Sequence, residues 1–157
     1  MTRVDVQLAC DDSDVPEADR IREWVASALA AAERAPAGEF DVSVRVVAVD
    51  EMQALNRDFR GKDSPTNVLS FPGGDVAGLP EDESRALGDV VICAEIVRDE
   101  AAEQNKSLSD HWAHILVHGT LHLLGYDHIS HEQAAEMEGL EVRVLTTIGV
   151  RDPYRVQ

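Results

Sequence analysis

The stretch His118-Gly119-Thr120-Leu121-His122-Leu123-Leu124-Gly125-Tyr126-Asp127-His128 constrains this chain more than any other. Its histidines are spaced by four and then by six residues, with Gly125 between the second and the third. At i, i+4 the first two project from one helix face on adjacent turns. Such a pair can hold one metal ion, because metal–nitrogen bonds of about 2.0–2.1 Å need nitrogens converging from neighbouring turns. The same helix cannot supply the third ligand, since a residue at i+8 would lie roughly 12 Å further along the axis. The chain must leave the helix and return. Gly125 permits this, because glycine takes the left-handed conformation that ends a helix without a Cβ penalty. His128 then closes the site. Three protein ligands with an open fourth position is the pattern of catalytic rather than structural zinc, with one ion per chain.

All 6 histidines, at positions 111, 114, 118, 122, 128 and 131, fall in this one segment. Packing alone does not produce such a concentration; the competing reading is a His-rich surface helix that binds metal incidentally. His111 and His114 precede His118 on the helical face and are expected to face the substrate or to support a ligand from behind. His131 reads as a solvated polar residue.

The surroundings are those of an ordinary globular protein. A chain of 157 residues is read as one domain, 1–157, able to bury a core without disulfides. Hydrophobic residues make up 44%, yet no run approaches the roughly 20 apolar residues of a membrane span. No signal peptide opens the sequence, so a cytoplasmic protein is expected, with Cys10 and Cys93 as buried thiols. The net charge of −16 argues against a general nucleic-acid-coating protein, and no DNA partner is expected. A local basic site survives this argument, since Arg57, Arg60 and Lys62 fall close together.

Periodicity predicts an α/β (α+β) single domain, with one mixed sheet of about four strands packed by helices and C-terminal helices carrying the metal site. Strands are expected at Val4–Leu8, Phe40–Val49, Val68–Phe71 and Leu87–Cys93. A first helix starts near Pro16 and carries Ile21, Trp24, Val25, Ala28, Leu29 and Ala32 on its apolar face, until Pro36-Ala37-Gly38 stops it. Asp50, with Gln53 at the box position, is expected to open a second helix to about Phe59. Residues 73–84 are glycine-rich and acidic and predict a mobile surface loop. Ala94 to Gln104 has helical composition, and Ser109 is the expected N-cap of the helix bearing His118 and His122. Ser130, with Gln133, caps a last helix to about Ile148, whose core stripe is Met137, Leu140, Val144, Leu145 and Ile148.

The ligand spacing matches that of the metzincin proteases, but those require a glutamate directly after the first histidine as general base. Here that position is Gly119, which argues against peptide hydrolysis. Upstream, Asn56-Arg57-Asp58-Phe59-Arg60-Gly61-Lys62-Asp63-Ser64-Pro65-Thr66-Asn67-Val68-Leu69-Ser70-Phe71-Pro72 joins Gly88-Asp89-Val90-Val91-Ile92 and the histidine stretch. Together, in this order, these segments closely resemble the YbeY family of bacterial rRNA maturation factors. The first third of the chain matches only in its strand–helix–strand pattern.

The resemblance implies a metal-dependent endoribonuclease specific for single strands. It implies action in the 3′-end maturation of small-subunit rRNA, in ribosome biogenesis and in ribosome quality control. It implies Zn2+ held by His118, His122 and His128, a functional arginine at Arg60, and the small ribosomal subunit and assembly factors as partners. The residues themselves agree with this chemistry. Three neutral imidazoles leave a metal its full charge for Lewis-acid work, and the arginine fork suits a scissile phosphate. The competing reading of Arg60 is a surface residue paired with Asp58 or Asp63. Arg57 and Lys62 can hold flanking phosphates or be solvated. Asp127 can orient a histidine or fill the turn after Gly125, and Asp89 can line the cleft or act as a strand-end cap. Two other functions stay open: a ribosome-assembly factor with a structural metal, and a zinc hydrolase acting on another phosphoester or an amide.

Overall fold

The structure is a computed structural model that describes residues 2–32, 40–73 and 85–154. The expected stop at Pro36-Ala37-Gly38 and the acidic residues 74–84 lie outside the described residues. The elements run β1 (Thr2–Leu8), α1 (Ala18–Ala31), β2 (Phe40–Val47), α2 (Val49–Arg60), β3 (Val68–Pro72), β4 (Arg85–Cys93), α3 (Ala94–Glu103), α4 (Leu108–Leu123) and α5 (His131–Thr147). The described strands form one mixed sheet in the order β1-β2-β4-β3. β1–β2 and β2–β4 are parallel, while β3 runs antiparallel to β4 at the edge. Parallel neighbours need a crossover, and α1 supplies the one between β1 and β2. Pro72 ends the edge strand, where a missing N–H costs no ladder bond.

Side-chain alternation divides the core between the two faces of the sheet. Val42, Val44, Val46, Val90 and Ile92 join α1, α4 and α5 in the larger cluster. Val47, Leu69, Val91 and Cys93 face the other way, with Met52 of α2. α4 lies under most of the larger cluster and touches α1, α3, α5, β3 and β4. Its buried residues include Trp112, Ala113, Ile115, Leu116, Val117 and Leu121, an apolar surface on nearly every side, as a central helix requires.

Two helix starts differ from expectation. α2 begins at Val49 with Ala48 as N-cap and no side-chain cap, so Asp50 is not the cap. Asp50 and Glu51 instead lie in the first turn, where carboxylates meet the positive end of the helix dipole. α4 is capped by Ser107 rather than Ser109, because Ser107 Oγ accepts the Asp110 N–H at 3.1 Å. Only a residue just outside the helix, in extended conformation, can reach that amide, and Ser109 is already helical. The Ser130–Gln133 capping box of α5 forms as expected.

Candidate metal centre

α4 delivers His118 and His122 together, and its end returns the chain for His128. The Gly125 N–H reaches the His122 carbonyl at 3.0 Å, and the Tyr126 N–H reaches the Leu121 carbonyl at 3.2 Å. This is the Schellman pattern, with Gly125 in the left-handed region at φ 92°. Tyr126 is buried in the same cluster as Leu121, the apolar contact that accompanies such an end. The Asp127 carboxylate accepts the His128 N–H at 2.8 Å, so this residue builds the turn.

The three imidazoles converge. One ring nitrogen from each of His118, His122 and His128 lies within 4.8 Å of the others, and the His118 and His122 Nε2 atoms are 3.0 Å apart. Tetrahedral zinc with bonds of about 2.05 Å separates its nitrogens by about 3.3 Å, so small rotations of the rings suffice. The donor chemistry also fits. Glu141 accepts a hydrogen bond from His118 Nδ1, which leaves His118 Nε2 as a bare lone pair. Burial, and then the charges of His118 and His128, push the His122 pKa below its ordinary value and favour the neutral, ligating ring. These residues can therefore hold a metal ion.

Arg60 lies at the end of α2, where Gly61 in the left-handed region (φ 71°) turns the chain. It lines the same cleft as the three histidines, together with Asn67, Val68, Ser70, Pro72, Tyr126 and Asp127; the cleft holds about 400 Å³. The two acids weighed as its partners are engaged elsewhere. Asp58 pairs with Arg57 at 3.2 Å, and Asp63 accepts from Gln53 at 3.1 Å. Arg57 and Lys62 are exposed, and neither is among the described residues lining the cleft. Asp89 is likewise exposed within β4 and outside that lining.

The other histidines serve different ends. His111 is buried, not substrate-facing: its Nε2 meets the Glu100 carboxylate at 3.0 Å. Glu100 also accepts from the Asn67 amide at 3.1 Å, so this pair anchors the loop that brings Asn67 to the cleft. His114 Nε2 meets Glu141 Oε2 at 3.3 Å, one turn behind His118. His131 is exposed, as expected.

Four residues of the site were not among the sequence candidates. Ser70 Oγ donates to the Gly119 carbonyl at 2.8 Å and ties β3 to α4 beside the first ligand, and Asn67 lines the cleft. Glu141, fully buried, gathers His118, His114 and the hydroxyl of Tyr154. Glu141 had a signal: it stands beside Leu140 on the inward stripe of α5, where a carboxylate is out of place unless donors await it. Burial works to raise its pKa, but the hydrogen bonds from His114 and His118 win and lower it to about 2.

Residues 6–149 match the family model described as Endoribonuclease YbeY. Proteins named Endoribonuclease YbeY give whole-length matches. That of Colwellia psychrerythraea is 44% identical over 154 residues, covering 98% of this chain and 97% of its own. That of Halorhodospira halophila is 52% identical over 143 residues, covering 91% and 90%. That of Alcanivorax borkumensis is 50% identical over 152 residues, covering 96% and 85%. The solution structure of TM1509 from Thermotoga maritima superposes with a TM-score of 0.55 at 27% identity, over 99% of this chain and 100% of that one. Because the family model spans residues 6–149 and these relatives are 44–52% identical over 91–98% of this chain, the chain belongs to the YbeY endoribonuclease family.

Proposed function

We propose that this protein is a metal-dependent endoribonuclease that cuts single-stranded RNA, with Zn2+ held by His118, His122 and His128. The observation that carries the reading is the convergence of three ring nitrogens within 4.8 Å in a cleft that Arg60 also lines. When bound, the ion would supply Lewis-acid polarisation of a phosphodiester oxygen and activation of a water. Arg60 binds the scissile phosphate and stabilises charge developing on its oxygens. Asn67 and Ser70, at the cleft wall, are held by Glu100 and by the Gly119 carbonyl, which fixes the edge strand against α3 and α4. His114 supports the centre from behind. Asp127 shapes the turn that presents His128. Arg57, Lys62 and Asp89 lie outside the cleft lining, so their share in binding flanking RNA is secondary.

The physiological substrate in this reading is small-subunit rRNA near its 3′ end, in the cytoplasm, during ribosome maturation and quality control. A chain of net charge −16 binds RNA weakly by itself. The small subunit and its assembly factors therefore supply the affinity that the cleft lacks. No described helix is long and apolar enough to cross a membrane.

The test compares zinc-loaded wild type, Arg60→Ala and His118→Ala on a single-stranded RNA and on the same RNA in duplex. The proposal expects cleavage of the single strand by wild type and large losses in both variants. Equal cleavage by all three would mean a contaminating nuclease. Loss of metal and stability in His118→Ala, with no cleavage by wild type, would favour an assembly factor with a structural metal.

A further inference from the structure

Glu141 carries a charge where nothing about α5 as an amphipathic helix calls for one. Its side chain is fully buried, between Leu140 and Val144 on the face turned to α4. A lone carboxylate there would give up its hydration with nothing in return. Three donors offset that cost, and each comes from a different position. His118 Nδ1 donates to Oε1. His114 Nε2, at 3.3 Å, and the Tyr154 hydroxyl donate to Oε2. Among the described residues the buried His114 Nδ1 has no hydrogen-bond partner, as fits a ring whose proton is on Nε2 and directed to Glu141.

The consequence falls on His118. A neutral imidazole carries one proton, and the nitrogen that holds it is set by the hydrogen bond it makes. With Nδ1–H given to Glu141, Nε2 is bare and faces the Nε2 of His122 at 3.0 Å. The His122 ring is supported differently, by a hydrogen bond to the backbone of Tyr126 in the turn after α4. Tyr154 completes the arrangement from beyond the end of α5. Its ring packs edge-on to His114 with centroids 5.5 Å apart, and its backbone N–H is fixed by Asp152 at 2.8 Å.

We propose that Glu141 is the positioning residue of the metal centre, acting through His118, and that the Tyr154 hydroxyl holds Glu141 in that role. This rests on His118 being a metal ligand, but not on the identity of the RNA. By reciprocity, docking of the segment around Tyr154 and metal binding at His118 strengthen each other.

The test measures the zinc dissociation constant by chelator competition for wild type, Glu141→Gln and Tyr154→Phe. It adds the unfolding midpoint of each metal-free protein and the 15N resonances of the His118 ring. Glu141→Gln is expected to weaken zinc about 10–100-fold, the usual effect of losing such a partner, and to move the His118 proton away from Nδ1. Tyr154→Phe is expected to weaken zinc about 2–10-fold on the same principle. A merely structural role would lower the midpoints yet leave zinc affinity and the His118 tautomer of the folded chain unchanged, which would overturn the proposal. Should Glu141→Gln fail to fold, Tyr154→Phe decides, since Tyr154 is 44% exposed and loses only an oxygen. Wild-type zinc affinity in that variant would overturn the proposal. If wild type itself binds no zinc, the ligand reading falls with it.

Discussion

Gly119 occupies the position where a metzincin protease carries its glutamate, and the fold gives a steric reason for the glycine. A Cβ built there would lie 3.0 Å from Val90 Cγ1, 3.1 Å from Val68 Cγ2 and 3.4 Å from Ser70 Oγ. In an unhindered helix, Gly→Ala would stabilise by about 1 kcal/mol through propensity. Here two of the three contacts are methyls of β-branched strand residues, which have little rotamer freedom. The strain must therefore be taken up by moving α4 off the sheet. Overpacking of this kind costs about 1–3 kcal/mol. The balance for Gly119→Ala is a net destabilisation of about 1 kcal/mol, or a fall in Tm of roughly 2–4 °C at this chain length. The shift should also lengthen the Ser70–Gly119 hydrogen bond and displace His118, the adjacent residue, so zinc affinity should fall as well. Gly119→Glu should be destabilised further and should gain no peptidase activity. Thermal unfolding of the metal-free proteins, with a zinc competition titration, measures both effects. A rise in Tm of 2–4 °C for Gly119→Ala, the full propensity gain at this size, would refute the close approach of α4 to β3 and β4.

Other outcomes follow from the same geometry. Arg60→Ala should reduce kcat on single-stranded RNA by about 10²–10³, the usual effect of removing one donor to developing charge. Arg60→Lys should recover only part of this, because an ammonium lacks the two-pronged geometry; full recovery in steady-state kinetics would contradict the assigned role. Gly88→Ala should destabilise by about 3 kcal/mol or more. Gly88 sits at φ +148°, and its Cβ would lie 2.4 Å from the Phe71 carbonyl oxygen; urea unfolding tests this. Leu116→Ala, in the fully buried middle of α4, should cost about 2–5 kcal/mol in the same assay.

Stability of the metal-free chain should also fall with pH in two windows. Burial lowers the pKa of His111, and the hydrogen bond it donates to Glu100 offsets this only partly. Below about pH 6.5 the unfolded chain takes up a proton that the folded chain resists, so stability declines as pH drops. His122, lowered by burial and by its histidine neighbours, adds to the same slope. His111→Asn should therefore reduce the slope without abolishing it. Glu141, at about 2, contributes stability that is present above the ordinary carboxylate range and is lost as pH falls from about 4 towards 2. Urea midpoints between pH 7 and 3 would record both; a flat profile would contradict the burial of these groups.

Much of the centre was legible because its geometry is local. Four residues along a helix and one glycine past its end determine where His118, His122 and His128 can meet, and the Schellman turn at Gly125 and Tyr126 realises that reading. Arg60 was legible by family resemblance rather than by spacing, since it reaches the cleft from α2 across the sheet edge. Glu141 and Tyr154 were not found, because their partners on α4 are 23 and 40 residues away in sequence. An acid beside Leu140 reads as a break in the stripe until the histidines behind it are seen. Sheet order was hidden for the same reason, as nothing local tells β4 to lie between β2 and β3. The choice of Ser107 over Ser109 turned on backbone conformation at one residue, which composition does not encode.

The central claim is that His118, His122 and His128 form a catalytic metal centre for RNA cleavage. Its most direct test is the initial rate of single-stranded RNA cleavage by metal-free protein, titrated with zinc. The account predicts no cleavage without metal, a rate that rises to a plateau at one equivalent of zinc per chain, and no rise in His122→Ala. Cleavage by the metal-free protein at the zinc-loaded rate, unchanged in His122→Ala, would contradict it.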